Sequence, residues 1–398
     1  MYTIPEDWRI VKFKDIFDRI TKKNRENNQN VLTISAKHGL ISQEEFFNKV
    51  VASNDKRNYY ILTTGDYAYN KSYSNGYPFG AFKKLTRYDK GIISPLYICF
   101  KPKENIVSEY YEHFFESRYF DKEINAIAQE GARNHGLLNI SVSDFFNTKL
   151  PLPSIKEQKR IAGILSTWDR AIELKEKQLI KEKDLLLRAI NSLVKENDVL
   201  EDKYRSVRLS ECTEFINGYA FKSEDYSKEG DFRVITIGNV QDGELSIHSA
   251  TKIISDLPDN INDGQILKFN DILLSMTGNV GRVCLVNQEN CLLNQRVGKL
   301  VPKENIYPLY LYYSLRSRKF LYKMIAKAQG GAQPNLSTKD IKNHRISMPD
   351  MNTQIKVSNY LSSLERKTKT LSKEIELLKL QRKGLMQKLL TGKIRVQV

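Results

Sequence analysis

Asp144, followed by Glu157-Gln158-Lys159, offers the carboxylates and lysine of a metal-dependent nuclease. Two observations weigh against that chemistry. Ser154-Ile155-Lys156-Glu157 has the form of a capping box, which gives Glu157 a structural task at a helix start. In addition, the corresponding residues half a chain later are Thr353-Gln354-Ile355, which supply neither the carboxylate nor the lysine. Gly278-Asn279-Val280-Gly281-Arg282 has the GxxG spacing of a phosphate-clamping loop of RNA binders. A lone GxxG is a weak signal, and a turn between strands that still approaches DNA is the simpler expectation. The remaining catalytic signatures are missing from the sequence. There is no Asn-Pro-Pro or Asp-Pro-Pro tetrad for adenine methylation, no Gly-x-Gly fingerprint and no GxxxxGK[ST] loop. His38, His113, His135, His248 and His344 do not cluster with cysteine at metal-ligand spacing. No catalytic residue, metal or cofactor is therefore assigned to this chain.

The residue types that can read DNA are better represented. Arg and Lys suit guanine, Asn and Gln suit adenine, and aromatic and hydroxyl side chains position phosphates or pack on thymine methyls. One loop, Asn70 to Gly80, carries Lys71, Tyr73, Asn75 and Tyr77, and Lys83 and Lys84 follow it. Arg133-Asn134-His135 forms a second candidate. Later in the chain the analogous residues are Thr277, Asn279 and Arg282, and then Asn294-Gln295-Arg296. Gln333 and Asn335 contact DNA on this reading or cap the turn in which they sit.

These residues belong to two copies of one plan. Ile140-Ser141, Asp144, Pro153, Gln158, Ile161 and Leu165 match Leu336-Ser337, Asp340, Pro349, Gln354, Val357 and Leu361 at a constant offset of 196. Trp8-Arg9-Ile10-Val11 matches Tyr204-Arg205-Ser206-Val207 at the same offset. Ala128 to Ala132 matches Ala328 to Ala332 at 200, and an insertion at Arg133 to Gly136 explains the slip. Fixed self-similarity of this kind marks a tandem duplication.

Each copy ends in a predicted long helix with a heptad seam. The first seam runs Ile161, Leu165, Trp168, Ile172, Lys175, Leu179, Glu182, Leu186, Ala189, Leu193. The second runs Val357, Leu361, Leu364, Thr368, Leu371, Ile375, Leu378, Arg382, Leu385, Leu389. Asp350 is placed to cap the second helix and Gly392 to stop it. Neither seam suits water, and each is the obvious partner of the other. Short apolar and β-branched runs alternate with turns over the rest of each copy, with helices predicted over Ser108 to Ala128 and Tyr307 to Ala328. The expected fold class is α+β: two pseudo-symmetric mixed domains at 1–150 and 201–345, joined by long helices at 151–200 and 346–398 that form an antiparallel coiled coil.

Charge agrees with a partner contacted twice. Residues 1–200 carry 32 basic and 26 acidic side chains, and residues 201–398 carry 31 and 21, so both halves are basic. No run approaches the ~18 apolar residues of a membrane span, and the N-terminus lacks the apolar core of a signal peptide. Cys99, Cys212, Cys284 and Cys291 show no CxxC pairing and suit a reducing cytoplasm.

The pattern Gly-Ala…Ile-Ser-x-x-Asp…Leu-Pro-Leu-Pro-x-x-x-Glu-Gln-x-x-Ile-x-x-x-Leu, from Gly131 to Leu165 and repeated half a chain later, resembles the specificity subunits of type I restriction–modification systems. The second copy departs from it with Thr353-Gln354 and Met348-Pro349, yet keeps register. The resemblance covers the whole chain. It implies that each domain reads one half of a split, asymmetric double-stranded DNA site while the helices set the spacing. It further implies two docked modification subunits that bind S-adenosylmethionine and methylate adenine. A further subunit, where present, would use ATP and Mg for translocation and cleavage. Docking is expected on the helix exteriors and starts, at Gln158, Arg160, Asp169, Arg170, Gln354, Lys356, Glu365 and Arg366, although the charged members equally suit a plain solvated face. The alternatives are a self-contained methyltransferase or nuclease, and a coiled-coil adaptor that binds RNA or DNA.

Overall fold

The computed structural model describes residues 4–35, 39–47, 55–72, 76–128, 138–193, 204–328 and 334–397. The chain divides into two units, Met1–Lys175 with Glu374–Val398, and Glu176–Lys373. Each unit therefore holds one mixed domain, the start of one long helix and the end of the other. These boundaries cut the helices near their middles.

The first unit is built on a four-stranded antiparallel sheet in the order Phe17–Arg19, Ile98–Pro102, Tyr67–Asn70, Ala81–Lys84. A second layer pairs Gly39–Ser42 with Leu32–Ser35 and Lys90–Ile93 with Tyr60–Thr63, and a parallel bridge between Val31 and Ile92 links the two pairs. The second unit repeats both arrangements. Its first sheet runs Thr213–Asn217, Val297–Pro302, Ile272–Ser275, Val283–Leu285, and its second runs Lys252–Ile254, Phe232–Ile235, Cys291–Leu293, Ile266–Leu267, with the central pair parallel. The duplication thus extends through segments whose sequences no longer resemble each other.

The cores differ in texture. That of the first unit is aromatic, with Phe13, Phe17, Tyr67, Phe100, Phe115 and Phe145 buried together. That of the second is more aliphatic around Leu274, Leu300, Leu311 and Ile346, with Tyr310, Tyr312 and Tyr313 from one helix. Each predicted connecting helix is in fact two. In the first unit, Ser108–Glu116 and Asp121–Ile127 are separated by Arg118, whose φ of 63° lies in the left-handed region that breaks a helix. In the second, Pro308–Leu315 and Arg318–Ala328 are separated by Ser317, whose hydroxyl accepts the Phe320 N–H and restarts the helix.

The long helices run Ile155–Leu193 and Met351–Leu390, 39 and 40 residues, or about 60 Å each. In the first unit Ile161, Ala162 and Leu165 pack with Met386, Leu389 and Leu390. In the second, Leu186, Ala189 and Ile190 share a core with Leu361. The start of one helix meets the end of the other in each unit, so the pairing is antiparallel. The polar seam positions are answered by opposite charges: Lys175 by Glu374 at 2.9 Å, Glu182 by Lys367 at 2.6 Å, and Arg382 by Asp169 at 2.8 Å.

Helix ends follow the sequence signals in part. Asp350 accepts the Thr353 N–H at 3.0 Å, and Gly392 turns the chain at φ 70° just past the second helix. At the first helix only half of the capping box forms. Ser154 Oγ accepts the Glu157 N–H at 3.2 Å, whereas the Glu157 carboxylate accepts from Trp8 Nε1 at 3.0 Å and Arg395 Nε at 2.9 Å. Residues far away in sequence outcompete the local box for that carboxylate. No helix among the described residues is long and apolar enough to cross a membrane.

Candidate nucleic-acid interface

In the second unit three separate turns converge. Ser275–Arg282 links two neighbouring strands, and Gly278 (φ 66°) and Gly281 (φ 83°) adopt the left-handed conformation that glycine accepts without steric cost. The GxxG segment is therefore a strand-to-strand turn. Met276 N donates to Arg296 O at 3.0 Å, Leu336 N to Met276 O at 2.8 Å, and Gly278 N to Pro334 O at 3.1 Å. These backbone bonds tie the turns into one cluster that exposes Gly278, Asn279, Gln295, Arg296, Pro334 and Asn335. A fourth segment braces it: Gln295 N donates to Tyr219 O at 2.8 Å, and Gly218 lies so close that a Cβ there would meet Asn294 O at 2.1 Å.

Of the sequence-predicted residues, the structure brings together Thr277, Asn279, Arg282, Asn294, Gln295, Arg296 and Asn335. Their surroundings differ. Asn294 is buried, and its Oδ1 accepts the Arg296 N–H at 3.3 Å, so it shapes the turn. Arg282 is half-buried and held by Gln241 Oε1. Thr277 Oγ1 is buried and has no hydrogen-bond partner among the described residues. Asn279, Gln295, Arg296 and Asn335 present their side chains to solvent.

In the first unit, Lys71 O accepts the Leu138 N–H at 2.9 Å, which ties Lys71 to the segment that enters the Ser141-capped helix. The Tyr77 ring has Lys83 Nζ at 5.6 Å and the Arg118 guanidinium at 5.9 Å from its centroid. Cations at these distances are attracted to the ring face. Sequence reasoning missed Arg118, because a basic residue inside an expected helix carries no local signal of such a role. Lys84 sits differently from Lys83: its ammonium lies 3.1 Å from Glu109 and 3.5 Å from Glu112. Tyr73, Asn75, Arg133, Asn134, His135 and Gln333 lie outside the described residues.

The expected docking residues divide sharply. Gln158 and Gln354 are buried and engaged internally, which corrects their assignment to a docking surface. Gln158 Oε1 accepts the Val107 N–H at 3.0 Å and its Nε2 donates to Pro153 O at 2.9 Å; Gln354 does the same with Tyr307 N (2.8 Å) and Pro349 O (2.9 Å). An amide both donates and accepts, so one side chain clamps the start of a connecting helix to the entry of a long helix in each unit. Glu365 is also internal, accepting from Tyr312 Oη, Tyr313 Oη and Arg316 Nη1 at 3.2, 3.0 and 2.9 Å. Asp169 is half-buried against Arg382. Arg160, Arg170, Lys356 and Arg366 are exposed.

Comparison with known proteins agrees with this architecture. The family of the type I restriction modification DNA specificity domain matches residues 5–182 and again 201–380. The type I restriction enzyme MjaVIII specificity subunit of Methanocaldococcus jannaschii is 27% identical over 77% of this chain and 75% of its own length. The putative MjaX specificity subunit of the same organism is 24% identical over 99% of this chain and 95% of its own. Among solved structures, a chain from a study of assembly and conformational transition of the type I R-M system has a TM-score of 0.64 at 17% identity, covering 99% of this chain and 100% of that one. The S subunit from M. genitalium has a TM-score of 0.55 at 17% identity, covering 97% and 96%. With two full matches in the order the duplication requires, the chain belongs to the type I restriction–modification DNA specificity family and is its DNA-specificity subunit.

Proposed function

We propose that each unit reads one half of a bipartite double-stranded DNA site through its loop cluster, and that the chain performs no chemistry itself. The observation that carries this reading is the contrast between the same strand order in the main four-stranded sheet of each unit and loops that differ in sequence. A scaffold repeated with different reading surfaces suits an asymmetric site. Arg296, Gln295, Asn279 and Asn335 are the base-reading candidates of the second unit, and Lys71, Tyr77 and Lys83, with Tyr73, Asn75 and Arg133 to His135, those of the first. Two modification subunits dock on the exposed helix starts at Arg160, Arg170, Lys356 and Arg366, bind S-adenosylmethionine and methylate adenine. ATP and Mg belong to a cleavage subunit where one is present. The helix pair acts as the spacer. The four cysteines, free and buried, accord with work in a reducing cytoplasm.

Mapping methylated adenines genome-wide in a strain that expresses this chain with its modification subunits tests the reading. Two short half-sites at a fixed gap are expected, and exchanging residues 1–150 for those of another family member should change one half only. Robust methyl transfer to DNA by the purified chain alone would show a self-contained enzyme instead.

A further inference from the structure

Each unit contains a two-stranded ribbon, Arg9–Lys12 with Lys149–Leu152 in the first and Arg205–Arg208 with Arg345–Met348 in the second. In the first ribbon Lys12 lies directly opposite Lys149, and in the second Arg208 lies directly opposite Arg345. Directly opposed residues of an antiparallel pair share a face with Cβ atoms about 5 Å apart, and like charges there destabilise the pairing. All four side chains are exposed, and among the described residues the carboxylates nearby bond the main chain instead: Lys12 N donates to Asp15 Oδ2 at 2.8 Å and Lys149 N to Glu123 Oε2 at 3.0 Å. Arg345 is braced for its position, donating from Nε to Ser206 Oγ at 3.1 Å and from Nη2 to Ser206 O at 2.8 Å.

The unfavourable pair occurs twice although some residues around it change. At the offset of 196, Ile10 becomes Ser206, Lys14 becomes Ser210 and Pro151 becomes Ser347, yet Lys12 becomes Arg208 and Lys149 becomes Arg345. An anion held between the two cations converts their repulsion into attraction. In the second unit the segment that joins the turn cluster to this ribbon carries two further exposed cations. Lys339 and Lys342, one turn apart on the helix Thr338–Lys342, lie between Asn335 and Arg345. That five-residue helix is about 8 Å long, short against the ~34 Å of one DNA turn.

We propose that Lys12–Lys149 and Arg208–Arg345 are twin anion clamps, each closing on a phosphate of the DNA backbone outside the base-reading loops. The proposal rests on the DNA-specificity reading above. In the second unit, the two further exposed cations on the segment between the DNA-reading candidates and the clamp favour DNA over an acidic protein surface as the occupant. The clamps anchor and orient the duplex without reading its sequence.

The test uses the full chain and two probes: a 40-base-pair duplex of random sequence, and a random-sequence pool from which preferred sites are selected by binding. Affinity for each is measured between 50 and 200 mM salt for the native chain, for the K12Q/K149Q and R208Q/R345Q variants, and for the charge-preserving K12R/K149R. One lost phosphate contact makes the slope of log affinity against log salt shallower by about 0.9, which is about threefold over this range. Each Gln pair is expected to show that loss on every sequence and to select the same half-sites as the native chain, and K12Q/K149Q is expected to melt no lower because a like-charge pair is gone. K12R/K149R should keep the native slope. A native slope in both Gln variants overturns the proposal, as does normal DNA binding combined with lost association of modification subunits, which would make the ribbons a protein-docking surface. If the native chain selects no sequence at all, the specificity reading itself fails, and that result is distinct from failure of the clamps.

Discussion

Arg382 Nη2 donates to Asp169 Oδ2 at 2.8 Å across 213 residues of sequence, and the equivalent acid of the other repeat, Glu365, takes its cation from its own domain, from Arg316 at 2.9 Å. The cause is a charge exchange between the copies. Position 316 corresponds at the offset of 200 to Glu116, and position 382 corresponds at 196 to Leu186. In the first unit the domain supplies a second carboxylate, so the cation must come from the partner helix, and Arg382 also donates to Glu116 at 2.9 Å. In the second unit Arg316 also meets Asp242 at 3.1 Å, and Lys369 of the same helix lies 3.6 Å from Glu365, so among the described residues no cation from the partner helix is used.

Transplanting one arrangement into the other unit should therefore work only as a pair. E116R places two cations beside Asp169, and R382L leaves two carboxylates without their arginine. Each single change is expected to lower stability by about 1–2 kcal/mol, between the values for exposed and buried pairs, because Asp169 and Glu116 are partly solvated. The double variant copies the second unit and should recover most of the loss in a thermal-melt cycle. R316L, which strands the buried Glu365, should cost more, about 3–5 kcal/mol. Additive losses in the E116R/R382L cycle would show that the two residues are not coupled.

The same cluster sets an acid limit. His113, and then Arg382, hold the Glu116 carboxyl down at about 2, below its ordinary 4.5. A lowered carboxylate contributes stability that is present above the unfolded value and is lost as pH falls through the folded one. The melting temperature of the native chain should thus fall from about pH 5 toward pH 2, and E116Q should remove part of that dependence while changing little in shape above pH 6. Parallel profiles for the two proteins would exclude Glu116 as a contributor.

The duplication made much of this fold legible before any coordinates. The seams and caps pointed to both long helices, because helix periodicity and caps are local signals. What escaped reading was set by partners distant in sequence. Glu157 satisfies a local capping pattern, yet Trp8 and Arg395 take its carboxylate from 149 and 238 residues away. Gln158 and Gln354 looked like polar docking residues at helix starts, but each amide is folded inward between two backbone segments of its own domain. The identity of glutamine in both copies was the available clue, since a clamp that donates and accepts tolerates few replacements. In the second unit, residue type pointed to turns that lie together, whereas the backbone bonds that gather Met276, Arg296 and Pro334 have no trace in sequence.

Strand register identifies a second pair of equivalent sites with opposite electrostatics. Cys99 lies opposite Ala68, and Lys299 lies opposite Leu273. The acid beside each pair is Asp66 in the first unit and Asp271 in the second. Asp271 is neutralised by the buried Lys299 at 2.7 Å. Asp66 is buried and bonded to Thr63, and burial raises its pKa. A raised carboxyl contributes stability that is full below the unfolded value and lost as pH rises through the folded one. D66N is expected to be neutral or stabilising at pH 7, since an amide oxygen still accepts from Thr63. D271N strands the Lys299 ammonium and should cost about 3 kcal/mol. Equal losses in urea unfolding of the two variants would contradict the assignment.

Specificity should respond to the second-unit cluster in two separable ways. Arg296 and Asn279 are exposed on turns whose backbones are fixed by neighbouring segments, so their truncation leaves the scaffold in place. A bidentate side-chain contact to a base is worth about 1–3 kcal/mol of discrimination. R296A and N279A are therefore expected to relax single positions of one half-site, by roughly tenfold for the lower part of that range, and to leave the other half-site as it was. Gly218 acts through geometry instead. A methyl group there meets Asn294 O at 2.1 Å and must displace the Asn294–Arg296 turn. G218A should lower the melting temperature and weaken recognition of the entire half-site rather than one base. Site selection from random pools, read with the melting curves of the same proteins, separates the two. Loss of both half-sites in R296A would mean that Arg296 supports DNA binding generally and does not read a base.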